Sequence, residues 1–157
     1  MKLLELLQGK WPGHSLHSAL VHLPIGSWIV ACLVDIAVFA GWTQPDSGRL
    51  GLSCVGLGLV GAVAAIATGV ADWLRIKKEE PAWKLGVYHM ALNVIAVAVW
   101  SGNFVLRLQV GAGHDAILLT ALAGTTLIFM SGYVGSLMAS EHKLVRTAPG
   151  RRRADVC

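Results

Sequence analysis

Residues 19–42 read ALVHLPIGSWIVACLVDIAVFAGW, an apolar run in which Asp35 is the only acidic or basic side chain apart from a histidine. About 20 apolar residues in a helix are enough to cross the roughly 30 Å hydrocarbon core of a bilayer. Lipid offers no partner to unpaired backbone groups, so a run of this kind is expected to be helical. The stretch therefore predicts a transmembrane helix.

Three further apolar runs of similar length follow, at about residues 50–74, 85–106 and 116–139. The connections between the runs are short and contain proline, glycine and aspartate, which favour turns. Short connections make consecutive helices antiparallel neighbours. The sequence therefore predicts an all-α fold, an integral membrane four-helix bundle with up-down-up-down topology over residues 19–139.

The composition of the 157-residue chain agrees with a membrane protein. Hydrophobic residues make up 55% of the chain and charged residues 14%, against about 25% charged residues in soluble domains. The net charge of +4 does not indicate a nucleic-acid partner, because the basic residues lie in loops and at the termini instead of on one face with aromatics between them. The predicted partner is the lipid bilayer.

The two ends of the chain are expected to lie outside the bundle. Residues 1–18 resemble a short amphipathic lead-in on the membrane surface. Residues 140–157 are basic and polar, and the sequence predicts a disordered tail there.

The lysines and arginines predict the orientation, because cytoplasmic loops of membrane proteins are enriched in them. The N-terminus, the second connection and the C-terminal tail share one side, which carries eleven of them: Lys2, Lys10, Arg75, Lys77, Lys78, Lys84, Lys143, Arg146, Arg151, Arg152 and Arg153. The other side carries Arg49 and Arg107. Both termini are therefore expected to be cytoplasmic.

Two histidines are the strongest candidates for a cofactor site. His22 lies about one turn into the first helix and His89 one to two turns into the third, and both helices enter from the same side. Two imidazoles facing each other in a bundle can ligate a haem iron or a metal ion. His17 is a further candidate ligand. Hydrogen bonds between helices are the alternative role for these histidines.

Nearby polar residues are candidates for supporting such a site. Asp72 could accept a hydrogen bond from a ligating imidazole and so fix its tautomer. Asn93 lies four residues after His89, on the same helical face. Arg75 and Lys77 could meet haem propionates.

Two residues inside the first run are unusual for a membrane helix. Pro24 leaves the Leu20 carbonyl without its helical partner and predicts a kink. Asp35 should face inward, because a mid-bilayer carboxylate is costly. A layer of polar side chains at similar depth is plausible, built with Ser53, Asn103 and Thr120. Structural and proton-relay roles for Asp35 both remain open.

The sequence contains none of the common hydrolase or nucleotide-binding motifs. There is no Walker loop, no GxSxG elbow and no HExxH, and no serine, histidine and acid form a nucleophile set. No catalytic residues are predicted, and an enzyme is the less favoured class.

The motifs resemble those of an uncharacterised family of four-helix bacterial membrane proteins, over about Gly13 to Val145. HSALVHLPIG is similar to the family's HPxLVHFPIG opening, with Ser18 in place of proline. ATGVADWL, HMALN and GYVGSLM, followed by His142, resemble its later motifs. The likeness falls on the following positions: His17, His22, Pro24, Thr68, Gly69, Asp72, His89 and Asn93. Members are sometimes joined to Rieske-type iron–sulfur domains, which implies a redox partner.

These observations lead to one favoured hypothesis and two alternatives. The favoured one is a small electron carrier of the bacterial inner membrane that binds haem b, with His22 and His89 as axial ligands and His17 as a reserve ligand or propionate contact. The first alternative is a non-enzymatic structural or accessory membrane protein, whose histidines join helices. The second is a metal- or proton-handling protein using the histidines and Asp35.

Overall fold

A computed structural model describes residues 16–147 of the chain. That part contains four long helices and no strand, which confirms the all-α prediction. The predicted lead-in and tail lie outside the described residues except at their inner ends. The helices are α1 (Leu16–Phe39), α2 (Gly48–Trp73), α3 (Pro81–Val110) and α4 (Asp115–Thr147).

Helix α1 contains a break near the predicted proline kink. Its segments, Leu16–Leu20 and His22–Phe39, are joined at Val21. Pro24 has no N–H to donate to the Leu20 carbonyl, so the regular ladder cannot run through this turn. The Val21 and Ile25 amides still bond to the residues four before them, at 3.0 and 3.2 Å. The break is therefore local and the helix continues across it.

Helix α4 is longer than the apolar run from which it was predicted. It continues to Thr147, through residues 140–147 that the sequence assigned to a disordered tail. The residues after Ala139 include Glu, Lys, Leu and Arg, which are good helix formers, and the next proline is Pro149. Polarity ended the apolar run there, but no helix breaker occurs before Pro149.

The outer surface of the bundle is apolar. All four helices are long and apolar enough to cross a membrane. Large aliphatic side chains point away from the bundle on each of them, with exposures such as 59% for Leu33, 71% for Val60, 63% for Val94 and 64% for Leu119. An apolar exterior of this extent is compatible with a bilayer and would be a liability in water.

The four helices form a ring in which α1 packs against α2 and α4, and α3 packs against the same two helices. Residues later in α1 contact residues earlier in α2: His17 lies against Gly69, whereas Trp28 lies against Gly58. Small residues on α2 allow this close approach, because glycine and alanine let two helix backbones come near each other.

Helices α1 and α3 lie diagonally across the ring and meet through long side chains at three levels. His17 faces His89 at the first level, and Trp28 stacks on Trp100 with ring centroids 5.3 Å apart at the second. Asp35 pairs with Arg107 at the third. Successive α1 residues in this series are 11 and 7 positions apart, close to three and two whole turns, so all three lie on one face.

Candidate functional site

The first level brings two imidazoles together at one end of the bundle. The ring centroids of His17 and His89 are 6.4 Å apart, and the ring planes are perpendicular. Both side chains are half-buried. The pair therefore lies between α1 and α3, where each ring can also reach a neighbouring helix.

His17 is held by the backbone of α2. Its Nδ1 donates to the carbonyl of Ala65 at 2.9 Å. In a helix the side chain four residues later leans back over a carbonyl, but here that residue is Gly69. A methyl group at position 69 would lie 2.8 Å from Cε1 of His17. Glycine thus leaves the carbonyl open and makes room for the ring.

His89 is held by α4 in the same way. Its Nδ1 donates to the carbonyl of Ser131 at 2.9 Å, and the residue four positions later is Gly135. A methyl group at position 135 would lie 3.0 Å from Cε1 of His89. Asn93 adds a further contact, because its Nδ2 lies 3.1 Å from Nε2 of His89 and donates to Oγ of Ser131 at 2.7 Å.

These bonds determine the tautomer of both rings. A backbone carbonyl can only accept a hydrogen bond, so the proton of each neutral imidazole lies on Nδ1. Nε2 then carries the lone pair. Neutral imidazole whose other nitrogen donates to a carbonyl is the usual form of a histidine ligand to iron or another metal.

The structure corrects the predicted pairing of His22 with His89. His22 is exposed, and the ring opposite His89 is that of His17. His22 follows His17 by five positions in the helix, which places their side chains about 140° apart around the axis. Depth in the membrane suggested His22, but its angular position around the helix axis excludes it from the face that carries His17, Trp28 and Asp35.

The other predicted members of the site are only partly brought together. Asn93 contacts His89 as expected from their spacing. Asp72 is half-buried near the end of α2, but the groups that accept the Nδ1 protons are backbone carbonyls. Arg75 and Lys77 follow α2 and are exposed. The side chain of His142 lies outside the described part of the structure.

The third level is a buried polar cluster at the opposite end of the bundle. Nη2 of Arg107 donates to Asp35, and the two side chains are 3% and 5% exposed. Arg107 Nε donates to Oδ1 of Asn103 at 2.8 Å, and Asn103 Nδ2 donates to Thr120 Oγ1 at 2.8 Å. Asp35, Asn103 and Thr120 thus share a layer as predicted.

The composition of that layer differs from the prediction at two positions. Ser53 is exposed and bonds to the carbonyl of Arg49 in its own helix, so it is not a member. Arg107 was counted among the loop charges, yet it is the partner that Asp35 requires. A signal for it was present: Arg107 follows Asp35 by 72 positions, the spacing that also separates His17 from His89 and Trp28 from Trp100.

Comparison with known proteins identifies one family. Residues 13–148 match a family model described as "Predicted membrane protein (DUF2231)". No curated protein and no solved structure matches the chain.

Proposed function

The chain belongs to the DUF2231 family of predicted membrane proteins, and we propose that it binds one b-type haem between His17 and His89 and carries electrons within the membrane. The observation that carries the proposal is the separation of the two rings. His17 takes the position that the sequence assigned to His22.

The separation of the two ring centroids is compatible with two ligands of one metal. With metal–nitrogen bonds of about 2.0 Å, imidazole centroids are about 6.3 Å apart in a linear arrangement and about 5 Å apart in a tetrahedral one. The centroids of His17 and His89 are 6.4 Å apart. At this separation His17 and His89 would be the residues that hold a haem iron between them.

The number of protein ligands also favours haem over a bare ion. A protein-bound zinc or similar ion takes about four ligands, whereas a porphyrin supplies four nitrogens itself and leaves two axial positions. Among the side chains that the structure describes, no three from His, Cys, Asp or Glu form a group suited to a metal. Two imidazoles are sufficient for haem.

The chain's own residues would orient the ligands and adjust to the cofactor. The Ala65 and Ser131 carbonyls keep the Nδ1 protons in place, so Nε2 of each ring is available. In this structure Asn93 Nδ2 donates to Nε2 of His89, and this bond would have to break before Nε2 could bind iron. Asn93 would keep its bonds to Ser131 Oγ and to the His89 carbonyl. Bound haem would supply a one-electron couple. Arg75 and Lys77 are the cations that the proposal assigns to its propionates.

The proposal includes a setting in the cell. The distribution of lysine and arginine supports an orientation in the bacterial inner membrane with both termini in the cytoplasm, which places the histidine end near the cytoplasmic face. An electron carrier needs a redox partner, and the family resemblance suggests a Rieske-type protein.

Absorption spectra test the haem proposal directly. The protein is purified in detergent from haem-replete cells, and a reduced-minus-oxidised spectrum is recorded. We expect a Soret and an alpha band that are lost in His17→Ala and in His89→Ala. His22→Ala is the matched control, because His22 is exposed on the same helix, and it should keep both bands. A colourless, folded wild-type preparation contradicts the proposal, and loss of the bands in His22→Ala but not in His17→Ala contradicts the ligand assignment.

A structural role is the second candidate, and it also rests on an observation. Each imidazole already bonds to a neighbouring helix, and interhelical bonds of this type contribute about 0.6 kcal/mol each. A colourless protein whose thermal stability falls in His17→Ala and His89→Ala would favour this role. Metal analysis of the same sample tests the third possibility, a metal-handling protein.

A further inference from the structure

Equivalent positions recur in the two halves of the chain. A spacing of 72 residues relates the three α1 residues that face the bundle axis to their partners on α3. A spacing of 66 relates the supporting positions of α2 to those of α4. These supporting pairs are Gly58 and Gly124 beneath the indoles, Ala65 and Ser131 with the carbonyls that bind the imidazoles, and Gly69 and Gly135 beneath the imidazoles.

The hairpins α1–α2 and α3–α4 are therefore equivalent units that face each other across a pseudo-two-fold axis. In a two-fold interface each residue meets its own counterpart. His17 meets His89 and Trp28 meets Trp100, so two levels consist of like pairs. Like pairs would form equally well if one hairpin met the same hairpin of a second chain.

The third level breaks this equivalence. The counterpart of Asp35 is Arg107, and both side chains are almost fully buried. Two α1–α2 hairpins would bring two aspartates together at this level, and two α3–α4 hairpins would bring two arginines together. Burying two like charges in contact is strongly unfavourable, whereas the mutual attraction of an opposite pair offsets part of its desolvation cost.

We propose that the Asp35–Arg107 pair directs α1–α2 to assemble with α3–α4 and rejects assembly of like hairpins. The wild-type geometry supports a specific contact, because the Arg107 side chain is held by a hydrogen bond to Asn103 and packs closely on Gly51. A methyl group at position 51 would lie 2.5 Å from Arg107 Nη1. The proposal does not depend on haem binding.

Two full-length chains with altered charge provide the test. Asp35→Arg carries positive charge at both positions, and Arg107→Asp carries negative charge at both, so neither chain can form its internal pair. If charge selects the partner, the two chains can complement each other by exchanging hairpins. We expect Asp35→Arg to co-purify several-fold more Arg107→Asp chain than differently tagged Asp35→Arg chain when pairs are co-expressed. Equal recovery of the two partners contradicts the proposal.

The double variant Asp35→Arg/Arg107→Asp supplies a second measurement within one chain. Its charges are complementary again, so it should recover most of the thermal stability that each single variant loses. It should also co-purify each single variant no more than the wild-type chain does. If the losses of the single variants simply add in the double variant, the pair is not acting through charge complementarity and the proposal fails. Neither measurement uses a haem signal, so a colourless protein leaves the test intact.

Discussion

At the scale of single residues, the candidate site depends on two glycines, whose lack of a side chain makes room for the imidazoles. Gly69 and Gly135 each leave a helical carbonyl open to an imidazole, and each would collide with that imidazole if it carried a methyl group. A carbonyl that is already bonded in its helix keeps a second lone pair. The Ala65 carbonyl accepts from both His17 Nδ1 and Thr68 Oγ1, at 2.9 and 3.0 Å. Two glycines thus convert ordinary helix backbone into acceptors that fix the histidine tautomers.

We predict that Gly135→Ala changes the tautomer of His89. The added methyl group would lie 3.0 Å from Cε1 and 3.1 Å from Nδ1, so the ring must shift by a few tenths of an ångström, which weakens its bond to the Ser131 carbonyl. In ¹⁵N NMR of histidine-labelled protein, we expect the Nδ1–H form of His89 to give way to a mixture of tautomers. Gly132→Ala is the control, since a methyl group there meets nothing within 4 Å. An unchanged Nδ1–H signal in Gly135→Ala would show that the glycine does not control the ring.

The stacked tryptophans allow a second prediction at this scale, because only one indole is hydrogen-bonded. Trp28 Nε1 donates to the Val55 carbonyl at 3.3 Å, whereas Trp100 Nε1 is buried without a partner. Replacing either indole with phenylalanine leaves a similar cavity, but only Trp28→Phe removes a bond. Trp28→Phe should therefore be less stable than Trp100→Phe by about 1 kcal/mol, as measured by thermal unfolding in detergent. The reverse order would contradict this assignment of bonds.

At the scale of helices, length and composition predicted the elements, but the contacts depend on which face of each helix points into the bundle. Pro81 begins α3, since proline suits the first turn of a helix. The partner of His89 was not predicted correctly, because membrane depth makes His17 and His22 nearly equivalent. Only the spacing of His17, Trp28 and Asp35 by whole turns shows which face of α1 looks inward. The same spacing on α3 identifies His89, Trp100 and Arg107.

The polar layer between α3 and α4 leads to a prediction about Asn103. This side chain accepts from Arg107 Nε and donates to the Ile117 carbonyl and Thr120 Oγ1. Asn103→Ala leaves a buried guanidinium N–H without an acceptor, which should cost about 1–3 kcal/mol. Ser53→Ala is the control: its hydroxyl is exposed and bonds within its own helix, and a change within about 0.5 kcal/mol is expected. Equal thermal unfolding temperatures for the two variants would contradict a structural role for the layer.

At the scale of the whole molecule, the sequence predicted the environment more readily than the interior. Lipid requires long apolar helices, so a chain with 55% hydrophobic residues reveals its helices directly. The interior depends on register, and single polar residues such as Arg107 can belong either to a loop or to the core. Arg107 lies three residues before the end of α3 at Val110, which is near enough to the end to resemble a flanking charge.

The charges that remain outside the core predict on which side of the membrane each end of the bundle lies. With Arg107 buried against Asp35, Arg49 in the first turn of α2 is the only lysine or arginine among the described residues that is left at the ion-pair end. This strengthens the predicted asymmetry. We predict that a reporter active only in the periplasm is silent when fused after Val156 and active when inserted after Gln44. Alkaline phosphatase activity in whole cells measures this, and immunoblots of the same cells control for expression. Activity at Val156 with silence at Gln44 would reverse the orientation and place the histidine pair near the periplasmic face.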